Sequence, residues 1–307
     1  MAYDTIGDLL RDARERQNYS QEEVCYGICT SSTLSRIENG LQAPGKKLLE
    51  GLMERLGIGN LITDISFTKK EAERYQLAQE LVRCFGKQDY QRAQRIVKEL
   101  EEKLRTVSGR ESGIKMEQQY LCFAKALIEK NYGEQPEKVL KHLLKAISMT
   151  LPDFDGMHIY TRLLSSQEIS ILNNIGCIYH EMDRLWDAIR LLMELKEYME
   201  KHSLDNHQTS VKYPMILQNL SSWMGQEGYY KDALKLCQKG IDFCIEYGKM
   251  HTFPMLLYNK ACALAELGQV DLSVEFFYES AVIYQAMGQR EHAEQVRNNA
   301  KIYGIEI

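Results

Sequence analysis

Apolar residues along this chain return at three- and four-residue intervals, the spacing of helices that bury one side. Ile6, Leu9, Leu10 and Ala13 form one such stripe and predict a helix from Ile6 to Gln17. Leu48, Leu49, Leu52, Met53 and Leu56 form another, from Lys46 to Leu56, stopped by Gly57-Ile58-Gly59-Asn60. Two shorter helices lie between them. Ser20 with Glu23 three residues on is a capping box, and Val24 and Tyr26 begin the apolar side. Gly27 can take the positive φ that closes this first helix. Thr30 caps the second, whose Leu34 and Ile37 face inward, and Gly40 ends it. Residues 1–60 therefore predict a complete small helical domain. A second capping box, Thr68-Lys69-Lys70-Glu71, opens a region that stays helical and repetitive, so the expected class is all-α.

The outward side of the second short helix carries Ser31, Ser32, Ser35 and Arg36. Small hydroxyl side chains with one arginine suit close approach to base-pair edges in a major groove. Ser20-Gln21-Glu22-Glu23 and Thr33-Leu34-Ser35-Arg36-Ile37-Glu38-Asn39-Gly40 resemble the helix-turn-helix of the Xre/Cro/phage-repressor family. The turn Gly27-Ile28-Cys29-Thr30 is one residue shorter than most of that family and is similar to the Rgg/PlcR/PrgX variant. DNA contacts are expected at Gln21, Ser31, Ser32, Thr33, Ser35, Arg36, Asn39 and Lys46, with phosphates met by Gln21, Asn39, Lys46 and Lys47. Residues 1–60 hold seven Lys/Arg against nine Asp/Glu. That balance disfavours tight nonspecific binding, which rests on phosphate neutralisation, so a second copy of the domain is expected on the operator.

In the second region, Leu172-Asn173-Asn174-Ile175-Gly176-Cys177-Ile178-Tyr179, followed by Ala188 and Leu192, resembles the tetratricopeptide pattern. A small or apolar residue precedes its packing partner by twelve in Leu81/Ala93, Gly176/Ala188, Ser221/Ala233 and Ala261/Ser273. Ala124 and Val139 are fifteen apart, around an enlarged loop. Ala93, Val139, Ala188, Ala233 and Ser273 follow one another by 46, 49, 45 and 40 residues, longer than the ~34 of a standard repeat. Residues 61–307 thus predict a right-handed α-solenoid of tetratricopeptide-like helix pairs, capped by a helix from Arg290 to Tyr303.

The first helix of each pair lines the inner wall of such an array. Asn174, Asn219 and Asn259 each stand two residues before the small residue of their unit. Asn173, Gln218 and Tyr258 flank them, and Cys177, Ser222 and Cys262 come one turn later. An amide offers both donor and acceptor, so a row of them can pair with the backbone of an extended peptide. The competing arrangement has the same asparagines bridging neighbouring helices or facing water. Lys125 and His180 join the candidates for side-chain selectivity, with Gln79, Phe85, Cys122, Glu129, Gln226 and Glu266 at equivalent positions.

The whole architecture resembles the Rgg/PlcR/PrgX class of quorum-sensing regulators. In that class an imported signalling peptide binds the repeats and alters how a homodimer sits on its DNA operator. A protein-interaction adaptor, or a ligand-independent repressor whose repeats only dimerise, are the alternatives.

Composition narrows this further. Eight cysteines are scattered without Cys-x-x-Cys or zinc spacing and read as small buried residues. No run reaches the length of a membrane span and the N-terminus lacks a signal peptide's apolar core, so a cytoplasmic protein with no membrane partner is expected. With no phosphate loop, nucleophile elbow or metal-spaced His/Glu pair, neither an enzyme nor a cofactor is expected.

Overall fold

The computed structural model describes residues 5–59, 69–107, 113–159, 162–202 and 206–307. Thr68 of the second expected capping box, and the expected boundary between residues 60 and 61, lie outside them. Every regular element among the described residues is an α-helix, as the periodicity predicts. The chain divides into two compact units, Met1–Leu191 with His202–Asp205, and Leu192–Lys201 with Asn206–Ile307.

The first unit begins with α1 (Ile6–Arg16), α2 (Gln21–Cys25), α3 (Ser31–Glu38) and α4 (Lys46–Arg55). Their ends are set by the predicted side chains. Ser20 and Glu23 form the reciprocal capping box, and the Thr30 hydroxyl accepts from Thr33 N. Gly27 takes φ +70°, which L-residues with a Cβ rarely adopt. Leu10, Val24, Leu34, Ile37, Leu48, Leu49 and Leu52 form one core. Each such fully buried side chain contributes roughly 1.5–3 kcal/mol. That core is not closed by its own four helices: Met116 and Leu163, from far along the chain, complete it.

Helix pairs follow: α5 (Lys69–Gly86) with α6 (Tyr90–Arg105), α7 (Ile114–Asn131) with α8 (Pro136–Ser148), and α9 (Ser166–Glu181) with α10 (Leu185–Lys201). The second unit contains the last residues of α10, then α11 (Asn206–Gln226), α12 (Tyr230–Tyr247), α13 (Phe253–Glu266), α14 (Val270–Ala286) and α15 (Arg290–Ile302). The spaced packing residues are buried throughout: Leu81, Ala93, Ala124, Val139, Ala188, Ser221, Ala233, Ala261 and Ser273. Ser221 and Ser273 remain compatible with burial because their hydroxyls donate to Gln218 O and Val270 O on their own helices. Turns between paired helices use a left-handed residue, which is glycine at 133, 228, 268 and 288 but Gln88 and Asp183 in two pairs.

Within the second unit Glu200 holds the end of α10. Burial opposes its ionisation, but bonds from Lys239 at 2.6 Å, Tyr213 and Lys196 at 3.0 Å outweigh that and hold it at about 2. A carboxylate whose pKa is depressed by folding stabilises above its unfolded value and loses that contribution as pH falls through its folded value. The second unit is therefore expected to lose stability between pH ~4.5 and ~2, less steeply in Glu200→Gln; acid titration followed by circular dichroism measures the difference. Solvent screening at this partly exposed site keeps the effect small.

Candidate functional site

Helix α3 turns Leu34 and Ile37 fully inward, which directs Ser32 and Arg36 to solvent and leaves Ser31, Thr33 and Ser35 half-buried. The Arg36 side chain forms no ion pair or hydrogen bond among the described residues, so it is available to a guanine edge. Thr33 is less free: its hydroxyl lies 2.9 Å from that of Thr30, within the helix cap. Asn39 is exposed, donates to Ser35 O at 2.8 Å and accepts from Arg11 Nη2 at 2.7 Å.

The helix is fixed from behind by a buried carboxylate, Glu38. Arg14 grips it with two bonds, Nε to Oε1 at 2.7 Å and Nη2 to Oε2 at 2.9 Å. Gln21 Nε2 donates to Oε2 at 2.7 Å. Hydrogen bonding to Glu38 raises the Arg14 pKa above its ordinary value. One residue thus ties α1 and α2 to α3, and Gln21, expected at a phosphate, uses one of its N–H groups in that tie.

Lys46, expected at a phosphate, has partners within the protein. Its Nζ stands 3.7 Å from the centroid of the Tyr75 ring and 3.8 Å from Glu50. Cation–π attraction and the nearby carboxylate turn it onto α5. Lys47 also leans on Glu50, at 3.4 Å.

Behind α3, the α2–α3 turn rests on the segment that follows α8, and α4 docks on α7 and α9. Arg55 is fully buried and donates to Val24 O at 3.1 Å, Tyr26 O at 2.5 Å and Glu168 Oε1 at 2.9 Å. Glu168 is equally buried and its other oxygen accepts from Ser165 N at 2.6 Å, closing the capping box of α9. Glu54 accepts from Ser166 N at 3.0 Å. Both carboxylates therefore meet the positive end of α9. Tyr26 donates to Asp153, and Arg162 lies 4.0 Å over its ring while pairing with Asp153 at 2.9 Å. A Cβ on Gly27 would fall 1.9 Å from Thr150 O. The Ser165-x-x-Glu168 spacing is readable in the sequence as a helix start; its second use, by an arginine 113 residues away, is not.

On the first helices of the repeats the candidate residues differ in what they offer. In the first unit Asn174 is half-buried and donates to Ser170 O at 2.9 Å, Asn173 is buried, and Cys177 and His180 are half-buried. Burial pushes the Cys177 thiol up. Lys125 pairs with Glu101 at 2.9 Å. In the second unit Gln218, Asn219 and Ser222 are half-buried on α11. Asn259 departs from the expected solvent-facing row: its amide donates to Gln218 O at 3.0 Å and to Ser221 Oγ at 2.9 Å, bridging α13 to α11. Both of its N–H groups are thereby used inside the protein. Tyr258 accepts from Asn299 Nδ2 at 2.6 Å, and burial raises the Cys262 thiol to about 11. Among the described residues no group of His, Cys, Asp and Glu could hold a metal ion, and no helix is long and apolar enough to cross a membrane.

Residues 5–60 match the family model of a helix-turn-helix domain. Among curated protein sequences none matches this chain. Among solved structures it is similar to Bacillus thuringiensis PlcR in complex with the peptide PapR7 and DNA, with TM-score 0.59 and 17% identity over 96% of this chain and 100% of that one. It is similar to apo PlcR from the same organism at TM-score 0.57 and 16% identity, over 95% and 98% of the two chains. BtubC from P. vanneervenii matches at TM-score 0.52 and 12% identity, over 72% of this chain and 93% of its own. At such identities the likeness is one of fold.

Proposed function

We propose that this protein is a DNA-binding transcriptional regulator controlled by a short signalling peptide, working as a homodimer. Residues 1–60 read DNA; residues 61–307 bind the peptide and dimerise. The observation that carries the reading is the exposed Ser32/Arg36 face of α3 in a domain that matches helix-turn-helix proteins over residues 5–60. The PlcR structure that shares the fold holds both a peptide and DNA, which supports assigning both kinds of partner here. Within the first unit the candidate peptide contacts are Asn174, Cys177 and His180 on α9; within the second unit, taken by itself, they are Gln218, Asn219 and Ser222 on α11. Helix α9 also supports the physical route for control. Its first turn holds Arg55 and Glu54 of the reading domain through Glu168 and Ser166 N. A ligand that shifts α9 therefore acts directly on the seat of α3.

The test is selection from a random DNA pool, with and without synthetic peptides encoded by short secreted reading frames beside the gene. The wild type is expected to enrich a two-fold site, and one peptide to change that affinity and raise the melting temperature. Ser32→Ala/Arg36→Ala should abolish enrichment without unfolding, since one bidentate arginine–guanine contact is worth ~1–3 kcal/mol. Unchanged site selection by the double variant sinks the assignment of α3 as reader. DNA binding indifferent to every such peptide favours the ligand-independent repressor.

A further inference from the structure

Helices α12 and α14 occupy the same place in successive repeats, each position of α12 corresponding to one 40 residues later on α14. Their inward sides match: Ala233 and Ser273, Cys237 and Phe277, Ile241 and Ala281, Cys244 and Tyr284 are all buried. Their outward sides do not. Where α12 exposes Asp232, Gln238 and Asp242, α14 exposes Leu272, Tyr278 and Val282, at 60%, 57% and 41%. The adjoining row reverses in charge. Lys231, Lys235 and Lys239 of α12 correspond to Asp271, Glu275 and Glu279 of α14. None of those three carboxylates has an ion-pair partner among the described residues. Lys239 is held by Glu200 at 2.6 Å, whereas Lys235 has only an exposed contact with Asp232.

We propose that this α12–α14 face is the homodimer interface, α14 of each copy lying parallel on the partner's α12 about a two-fold axis that runs along the helices. The inference rests on the proposed two-headed DNA reader and names the surface that joins the heads. Helices related by a repeat run in the same direction, so one two-fold axis between them creates both crossed contacts at once. Rows spaced i, i+4, i+8 on both helices meet in either direction, bringing acidic positions onto lysines. Lysine stems would cover Tyr278 and Val282 while their ammonium groups reach Glu275 and Glu279. Setting α14 against the partner's α14 would oppose two acidic rows, a repulsive arrangement.

Sedimentation equilibrium of the full chain tests this. The wild type is expected to be dimeric at micromolar concentration. Lys231→Glu/Lys235→Glu and Glu275→Lys/Glu279→Lys should each weaken dimerisation at least tenfold, with unchanged helix content because all four side chains lie outside the core. Mixing the two variants one to one should restore a dimer, since both crossed contacts then pair opposite charges; the chain with all four reversals should also dimerise. A dimeric wild type whose variants dimerise equally well, or variants that stay monomeric when mixed, overturns the surface and leaves the dimeric reading standing. A monomeric wild type overturns both.

Discussion

Arg55→Met is expected to remove about 3–5 kcal/mol of stability from the first unit, the cost of leaving one member of a buried ion pair without its partner. Arg55 and Glu168 are both inaccessible to solvent, and Arg55 also serves the carbonyls of Val24 and Tyr26. Methionine keeps much of the volume but none of the donors. Arg55→Met/Glu168→Gln should recover part of the loss, because glutamine removes the stranded charge and still completes the capping box with Ser165. Urea denaturation of the three proteins measures this. A single variant within ~1 kcal/mol of wild type would be incompatible with a buried charge at this site. The sequence-specific consequence is separate: loosening α4 from α9 unseats the α2–α3 turn, so operator affinity should fall in the single variant even where most molecules remain folded.

Gly27→Ala should be the more local and nearly as severe change. Gly27 and Gly40 bracket α3 with almost the same backbone, φ +70° and +68°. A Cβ at Gly40 meets nothing within 4 Å, while one at Gly27 would lie 1.9 Å from Thr150 O. Left-handed strain alone costs about 1–2 kcal/mol for an ordinary residue. At Gly27 the backbone clash adds roughly 1–3 kcal/mol of overpacking, because a carbonyl cannot rotate away like a flexible side chain. The difference between the two alanine variants isolates the contact of the turn with Thr150. Equal losses in thermal or chemical denaturation would show that the turn does not rest there.

Several features of the fold are legible in local sequence. Ser20 with Glu23, Thr30 before Leu34, and Gly27 and Gly40 at the ends act within one helical turn, so their effect follows from residue type and spacing. The packing residues of the repeats are legible for the same reason: a small residue and its partner twelve positions later meet across a hairpin whose length is itself encoded. Outward placement of Ser32 and Arg36 follows once Leu34 and Ile37 are known to face inward.

Other features were not legible. Lys46 looks like a free surface cation near α3 until Tyr75, from another helix, is placed under it. Asn259 shares its repeat position with Asn174 and Asn219, yet its amide bridges two helices because Ser221 and Gln218 O happen to stand opposite. Glu38 is a plain helix-end carboxylate in the sequence and the buried anchor of three helices in the structure.

The sequence by itself determined the helices, their caps, the repeat order and the outward chemistry of α3, because each depends on contacts within a turn or a hairpin. Only the tertiary structure decided which polar groups are used up in packing and how the helix-turn-helix domain is seated. Those outcomes depend on pairs such as Arg55 and Glu168, 113 residues apart, whose meeting no local periodicity encodes.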